Sequence, residues 1–295
     1  MHRFLLHNDD VREASETILS AGQVGLLSGW GVFSTLRVYD GVPFAWERHW
    51  DRMNRDAGRM RIPFPSEARW LEERLHRLID ANRAFNATLR VYIVRDRGGI
   101  WEGPGQAREF DLIAFTADVN RWPEAVKLGL VPHGRHAASE FAGTKYISWS
   151  ENLMRYERAH EQGLDEVVLL NERGEVSECT SANVFVAQGD RVWTPPQSAG
   201  CLAGVTRGVL LEEVKIPGLE IGEKTLFPQD LELADEVFIT STTRELLPVA
   251  SIEGLHIKSG PAIRDQVQQA FSSRVKEYTA ARRTPIPAIR SVRYN

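Results

Sequence analysis

Hydrophobic and polar positions along the chain switch between two periods. Residues 31–38 (Gly-Val-Phe-Ser-Thr-Leu-Arg-Val) are rich in β-formers, and Tyr39-Asp40-Gly41 supplies turn chemistry before Val42-Pro43-Phe44, so a strand and hairpin are predicted. Next, Trp46, Trp50, Met53, Ala57 and Met60 recur at alternating steps of four and three, the stripe of an amphipathic helix that stops before Pro63. A second helix is expected after a cap at Ser66, with Trp70, Leu71, Leu75, Leu78 and Ile79 on its buried side. Residues 89–94 and 110–115 read as strands.

Around Val119-Asn120-Arg121-Trp122-Pro123 the period is lost, and a new strand-like run opens at Val126. This pattern places a linker at 119–125 between an N-terminal domain, 1–118, and a larger C-terminal domain, 126–295. The second half reads as a helix over 151–162 closed by Gly163, then a hairpin of 166–170 and 175–177 turning at Asn171-Glu172-Arg173-Gly174. Strands follow at 184–187, 191–194 and 237–240, with a helix from Gly204 to about Val214 and a final helix over 261–280. The tail after Arg283, carrying Pro285 and Pro287, reads as irregular. The whole is a mixed α/β (α+β) pattern.

Composition narrows the class. At 295 residues the chain has about two domains' worth of length. Its 36 basic and 40 acidic residues leave a net charge of −4, and 42% of positions are apolar, so it is an ordinary globular chain. A pI near 6.1 gives no global reason to attract nucleic acid or anionic membrane. Arg282, Arg283, Arg290 and Arg293 read as a solvated basic terminus. Cys179 and Cys201, the only cysteines, are too few for a disulfide framework or a four-thiolate zinc site, and no metal site is expected. The apolar run Phe4-Leu5-Leu6 is cut short by His7-Asn8-Asp9-Asp10, and nowhere do about 18 apolar residues occur together, so neither a signal peptide nor a membrane span is expected. A cytoplasmic location is expected.

No phosphate-loop, HExxH, GxSxG or GxGxxG signature occurs. What remains is a dispersed constellation. Lysine is confined to Lys127, Lys145, Lys215, Lys224, Lys258 and Lys276, and Lys145 alone sits in a neutral, apolar stretch, Phe141-Ala142-Gly143-Thr144-Lys145-Tyr146-Ile147. Desolvation there would lower its pKa and free an amine for Schiff-base chemistry; alternatively its stem packs on apolar surface while the head reaches water. Glu178, among small polar residues in Ser177-Glu178-Cys179-Thr180-Ser181-Ala182-Asn183, is either a partner for a heterocyclic N–H or a strand-edge carboxylate facing solvent. Gly200-Cys201-Leu202-Ala203-Gly204-Val205-Thr206-Arg207 runs into a helix whose free N–H groups suit a phosphate, or is simply a capped helix start. Thr240-Ser241-Thr242-Thr243-Arg244 and Arg48-His49-Trp50-Asp51-Arg52 are further anion-site candidates, or capping and surface features.

Taken in order, these segments resemble the class IV, or fold-type IV, aminotransferases, a pyridoxal 5'-phosphate family that includes branched-chain aminotransferases, D-amino-acid aminotransferases and aminodeoxychorismate lyases. The resemblance runs over roughly residues 22–254 and is most specific at the lysine segment through Gly163-Leu164-Asp165-Glu166, at 177–185 and at Gly204-Val205-Thr206-Arg207. It implies a two-domain fold with the cofactor between the domains, and a homodimer. It also implies that Lys145 is the Schiff-base lysine and proton shuttle, and that Glu178 keeps the pyridine nitrogen protonated. By the same resemblance Arg52, Val205, Thr206 and Thr242 would bind the phosphate and Leu202 would pack on the ring.

Departures fall at the substrate side. Where branched-chain enzymes show Phe-Glu-Gly, this chain has Phe33-Ser34-Thr35, closer to the lyase pattern Phe-Thr-Thr. The Arg-x-His carboxylate trap of D-specific enzymes is replaced by Gly98-Gly99-Ile100-Trp101-Glu102, and Ser148 stands where lyase and D-specific members often carry Asn. The Thr240-Ser241-Thr242-Thr243 run resembles the D-specific branch. Phe33, Arg90, Arg95 and Thr243 are the candidate substrate residues, with Arg97 a third arginine for the carboxylate. The expected activity is amino transfer between a branched-chain L-amino acid and a 2-oxo acid such as 2-oxoglutarate. The alternatives are aminodeoxychorismate lyase, and a D-amino-acid or (R)-amine transaminase.

Overall fold

A computed structural model describes residues 1–19, 22–99 and 108–283. The irregular-tail expectation (Pro285, Pro287), the terminal Arg290 and Arg293, and Ile100-Trp101-Glu102 lie outside the described residues. The first half builds β1 (Phe4–His7), β2 (Asp10–Glu13), α1 (Val24–Ser28), β3 (Gly31–Tyr39), β4 (Val42–Pro43), α2 (Trp46–Arg59), α3 (Ala68–Asn82), β5 (Ala87–Arg95) and β6 (Phe110–Ala117). Its strands form one antiparallel sheet, ordered β2-β1-β6-β5-β3-β4. Period two sends Val32, Leu36, Leu89, Val91 and Ile93 to one face, where they meet Met53 and Ala57 of α2 and Leu71, Leu75, Leu78 and Ile79 of α3. The opposite face is left with Phe33, Thr35, Arg90 and Phe115, which border a cavity.

The second half contributes β7 (Val126–Val131), α4 (Ser150–Glu161), β8 (Glu166–Leu170), β9 (Val176–Cys179), β10 (Asn183–Gln188), β11 (Arg191–Thr194), α5 (Val205–Glu212), β12 (Glu220–Glu223), α6 (Pro228–Leu233), β13 (Glu236–Ser241), β14 (Glu245–Ile252) and α7 (Ala262–Arg282). Eight strands make a mixed sheet, ordered β12-β11-β10-β13-β14-β7-β8-β9. Both faces are covered, which is why runs such as Val-Val-Leu-Leu in β8 are apolar without alternation. Val184, Val186 and Ile239 pack on one side. On the other, Phe185 and Phe238 join α5 and α7, and Phe44 from the first half inserts among them.

One local expectation is corrected, and two strands were not anticipated. The N-cap of α3 is Glu67, which makes no side-chain capping bond, rather than Ser66. Phe4-Leu5-Leu6 is a strand, because pairing with β6 stabilises it despite its short length. β14 was not expected: Pro248 interrupts its pattern, and a bulge between Val249 and Ser251 lets it pair with β7.

The join that matters for chemistry follows from the two-residue length of β4. It pairs only with Val38 and Tyr39, so the start of β3 has an open edge. Residues 145–147 close it, with the Phe33 N–H donating to the Lys145 carbonyl (3.1 Å) and the Ile147 N–H to that of Gly31 (2.9 Å). A lysine far along the sequence is thereby seated over the first sheet.

Candidate active site

A cavity of about 660 Å3 is bordered by the open face of the first sheet, the lysine segment, and the loops and strand ends around β9, β13 and α5. Backbone bonds fix Lys145 within it: its N–H donates to Asp56 Oδ2 at 3.0 Å, and its carbonyl accepts from Phe33. The Nζ lies 4.4 Å from the centre of the Phe33 ring and 5.9 Å from that of Trp149. Burial of this amine, helped by the nearby Arg52 cation, lowers its pKa to about 7. Lys145 is half-buried, and its head lies inside the cavity against the two rings.

Glu178 stands on β9, the outermost strand of its sheet, yet it is only 7% exposed. Arg135 donates to its Oε1 at 3.0 Å and the Leu202 N–H to its Oε2 at 3.1 Å. Arg135 is steadied in turn by Asn152 Oδ1 (3.2 Å), and the Leu202 carbonyl accepts from Asn183 Nδ2 (2.9 Å). The carboxyl group is therefore oriented at the cavity wall by two donors and does not face solvent.

A second part of the cavity gathers uncompensated positive potential. α5 opens at Val205 without a side-chain cap on its first N–H groups. Gly204 precedes it because a Cβ there would sit 2.0 Å from Asn183 Oδ1. Arg52, on α2 and almost wholly buried, donates to Ser34 Oγ at 2.7 Å, while its Nε has no partner among the described residues. Burial lowers its pKa to about 10, only partly offset by Asp56. Ser34 Oγ, already an acceptor for Arg52, lies 2.7 Å from His49 Nδ1, so its hydroxyl proton points there. Burial and the Arg52 cation push the His49 pKa well below its ordinary value, keeping the ring neutral. The Thr240 hydroxyl is also buried without a partner among the described residues, and Thr242 and Thr243 border the cavity from the turn between β13 and β14.

Lys145, Glu178, Arg52, Leu202, Val205, Thr206 and Thr242 are thus brought to one cavity, as are Phe33, Arg90 and Thr243. Arg95 is not. It lies five positions from Arg90 on β5, so the pleat turns it to the other face, where it stacks 4.1 Å over Trp30 and donates to the carbonyls of Arg61 and Arg97. Arg97 does not border the cavity either. Sequence reasoning missed Arg135, Asp56 and Trp149, which carry no local periodic signal. The His49-x-x-Arg52 spacing was legible as one helix face, but its Ser34 partner was not.

The family described as Amino-transferase class IV matches residues 31–252. The D-alanine aminotransferase of Bacillus licheniformis is 29% identical over 282 residues, covering 94% of this chain and 98% of that one. Among solved structures, the branched-chain amino acid aminotransferase from Escherichia coli superposes with a TM-score of 0.83 at 25% identity, covering 93% of this chain and 95% of that one. A hypothetical aminotransferase from Mycobacterium tuberculosis, solved in its PLP-bound form, reaches a TM-score of 0.81 at 23% identity, covering 93% and 99%. Because the family match runs from the first residue of β3 to the last of β14, it takes in every strand that borders the cavity, and the chain belongs to the class IV aminotransferases and is an enzyme.

Proposed function

We propose that this enzyme is a pyridoxal 5'-phosphate-dependent aminotransferase acting on a branched-chain L-amino acid and a 2-oxo acid such as 2-oxoglutarate. The observation that carries the reading is one cavity holding a lysine amine of pKa about 7, a glutamate side chain clamped by an arginine, and a buried arginine beside an uncapped helix start. The fit to a phosphorylated pyridine is chemical. The unpartnered Arg52 Nε and the free N–H groups of Val205 and Thr206, with the Thr242 hydroxyl, answer a phosphate dianion. Leu202 supplies an apolar wall for a ring.

Pyridoxal 5'-phosphate, when bound, supplies an aldehyde that takes up an amino group and a protonated ring that accepts electrons. Lys145 would hold the cofactor through its aldehyde carbon and, as a free amine, would carry the proton to and from the substrate Cα; a pKa near 7 suits both directions. Glu178 would hold the proton on the ring nitrogen, and Arg135 keeps the Glu178 side chain aimed. Phe33 and Trp149 form a dry wall beside the amine for an aliphatic side chain. Arg90, on the cavity face of β5, is the arginine for the substrate carboxylate.

A second reading, D-amino-acid transamination, is favoured by the near-complete overlap with the Bacillus enzyme. Absorbance spectra of the purified protein, alone and after separate additions of L-leucine, D-alanine and an (R)-amine, test both. A yellow band converted to the pyridoxamine form by L-leucine supports the main reading, and conversion by D-alanine alone replaces it. No band after addition of pyridoxal 5'-phosphate refutes the cofactor assignment.

We further propose a homodimer. Leu26 and Leu27 of α1 and Leu153 and Met154 of α4 are about half exposed, and Ser148 Oγ donates to the Gly29 carbonyl, so the ends of these helices lie side by side. Two free buried thiols, Cys179 and Cys201, suit a reducing compartment, and the cytoplasm is the proposed location.

A further inference from the structure

Thr242 and Thr243 sit in the hairpin turn between β13 and β14, and Glu245, just beyond it, has φ +53°, a left-handed conformation that L-residues adopt only when their surroundings impose it. Arg244 lies between them. Its guanidinium is buried and turned toward the loop after β9: Nη1 donates to the Ser181 carbonyl (3.3 Å) and hydroxyl (3.0 Å), and Nη2 lies 3.4 Å from Glu166 Oε2. It also lies 4.1 Å over the Trp122 ring, and Trp122 Nε1 donates to the Thr243 carbonyl at 2.9 Å.

Glu166 is saturated from the other side. Its Oε1 accepts from the Thr180 N–H and hydroxyl, and its Oε2 accepts from the Ser181 hydroxyl at 2.7 Å. Thr180 and Ser181 follow closely after Glu178 on the chain. A single buried ion pair therefore ties the turn carrying Thr242 to the loop leaving Glu178.

We propose that Arg244 is a positioning residue: with Glu166 as counter-charge and Trp122 as platform, it fixes the Thr242–Thr243 turn against the Glu178 strand, holding the phosphate-binding group in register with the ring-binding group. This rests on the cofactor reading above. An ion pair serving stability alone would affect folding but would not discriminate between phosphorylated and unphosphorylated ligands.

The test is titration of the cofactor-free full chain with pyridoxal 5'-phosphate and, separately, pyridoxal, followed by tryptophan fluorescence, beside thermal melting. R244M is expected to weaken pyridoxal 5'-phosphate about tenfold, the scale of one charge-assisted contact, and to leave pyridoxal within about twofold. Removing one partner of a buried pair can unfold a protein, so E166Q/R244M is measured as well; the amide introduced by E166Q can still bond Thr180 and Ser181 and strands no charge. The double variant should regain the wild-type melting temperature and retain the selective loss for the phosphorylated ligand. A stable double variant binding pyridoxal 5'-phosphate as tightly as wild type overturns the inference, as does an equal loss for both ligands. A wild-type protein that binds neither overturns the cofactor reading and this inference with it.

Discussion

Glu178 and Arg52 are both nearly buried at the wall of one cavity, but their charges are treated differently. Glu178 has a guanidinium and a backbone N–H on its two oxygens, with a further residue steadying each donor. Arg52 has a neutral serine hydroxyl, a distant carbonyl contact and an unpartnered Nε, and a neighbour on its cavity side is a second basic group, Lys145. The first region keeps its geometry without help. In the second, a buried cation keeps an unanswered Nε with Asp56 only partly offsetting it, and burial is the main cause of the lowered pKa values of Arg52 and Lys145. Self-satisfied groups suit a ring that must be oriented, and under-satisfied cations suit a dianion that must be captured.

The largest expected effect is at the amine itself. K145A removes the group proposed to move the proton, and turnover in a steady-state amino-transfer assay should fall by roughly 10^3-fold or more, since positioned acid–base groups contribute about 10^2–10^4; retention of a tenth of wild-type activity would sink the assignment. E178Q comes next. It strips the ring side of its charge and strands Arg135, so kcat should drop about a hundredfold, on the scale of a lost charged hydrogen bond. An unchanged kcat would show that the satisfied pair is only structural.

R52Q addresses the other region. Affinity for pyridoxal 5'-phosphate should weaken by about one order of magnitude. The Lys145 pKa in the cofactor-free protein should rise above 7, because a cation that lowers it has gone. The pH dependence of Lys145 labelling by an amine-reactive reagent reads this directly, and an unmoved or lower value contradicts the comparison.

The smallest effect is on stability. Lys145 has a pKa of about 7 folded against 10.5 unfolded, so between these values the unfolded chain binds more protons and stability rises with pH. The penalty is full below pH 7 and gone above about 10.5. Cofactor-free K145M should therefore melt a few degrees above wild type near pH 6 and lose that advantage near pH 10. A constant difference across the range would place the amine in water.

Much of the fold could be read from period alone where one face is buried. The steps of four and three from Trp46 mark α2, and the Leu71-Leu75-Leu78-Ile79 face marks α3, because each has one apolar face packed on the first sheet. β14 escaped notice because its strand character is conferred by neighbours on both sides, against the preference of Pro248. For the site, Lys145 and Glu178 were visible as unusual residues in unusual surroundings. Their partners were not: Arg135 reaches Glu178 across 43 residues and Asp56 reaches the Lys145 N–H across 89, and no periodicity encodes such distances. Arg95 shows the converse error, since charge type suggested it and the parity of a β-strand removed it.

By itself, the sequence determined the helices and strands that bury one face, such as α2, α3, β3 and β5, the neutral stretch around Lys145, and the glycine that lets the chain pass Asn183 before α5; these follow from side-chain period, local polarity and the absence of a Cβ. Tertiary structure alone decided which charges are answered. Whether a buried cation or carboxylate is paired depends on which distant strands become neighbours, and here the short β4 leaves the edge that seats Lys145 while the β8–β9 pairing brings Glu178 to Arg135. Burial and pairing set the free energy of a charge, and both are properties of the assembled sheets.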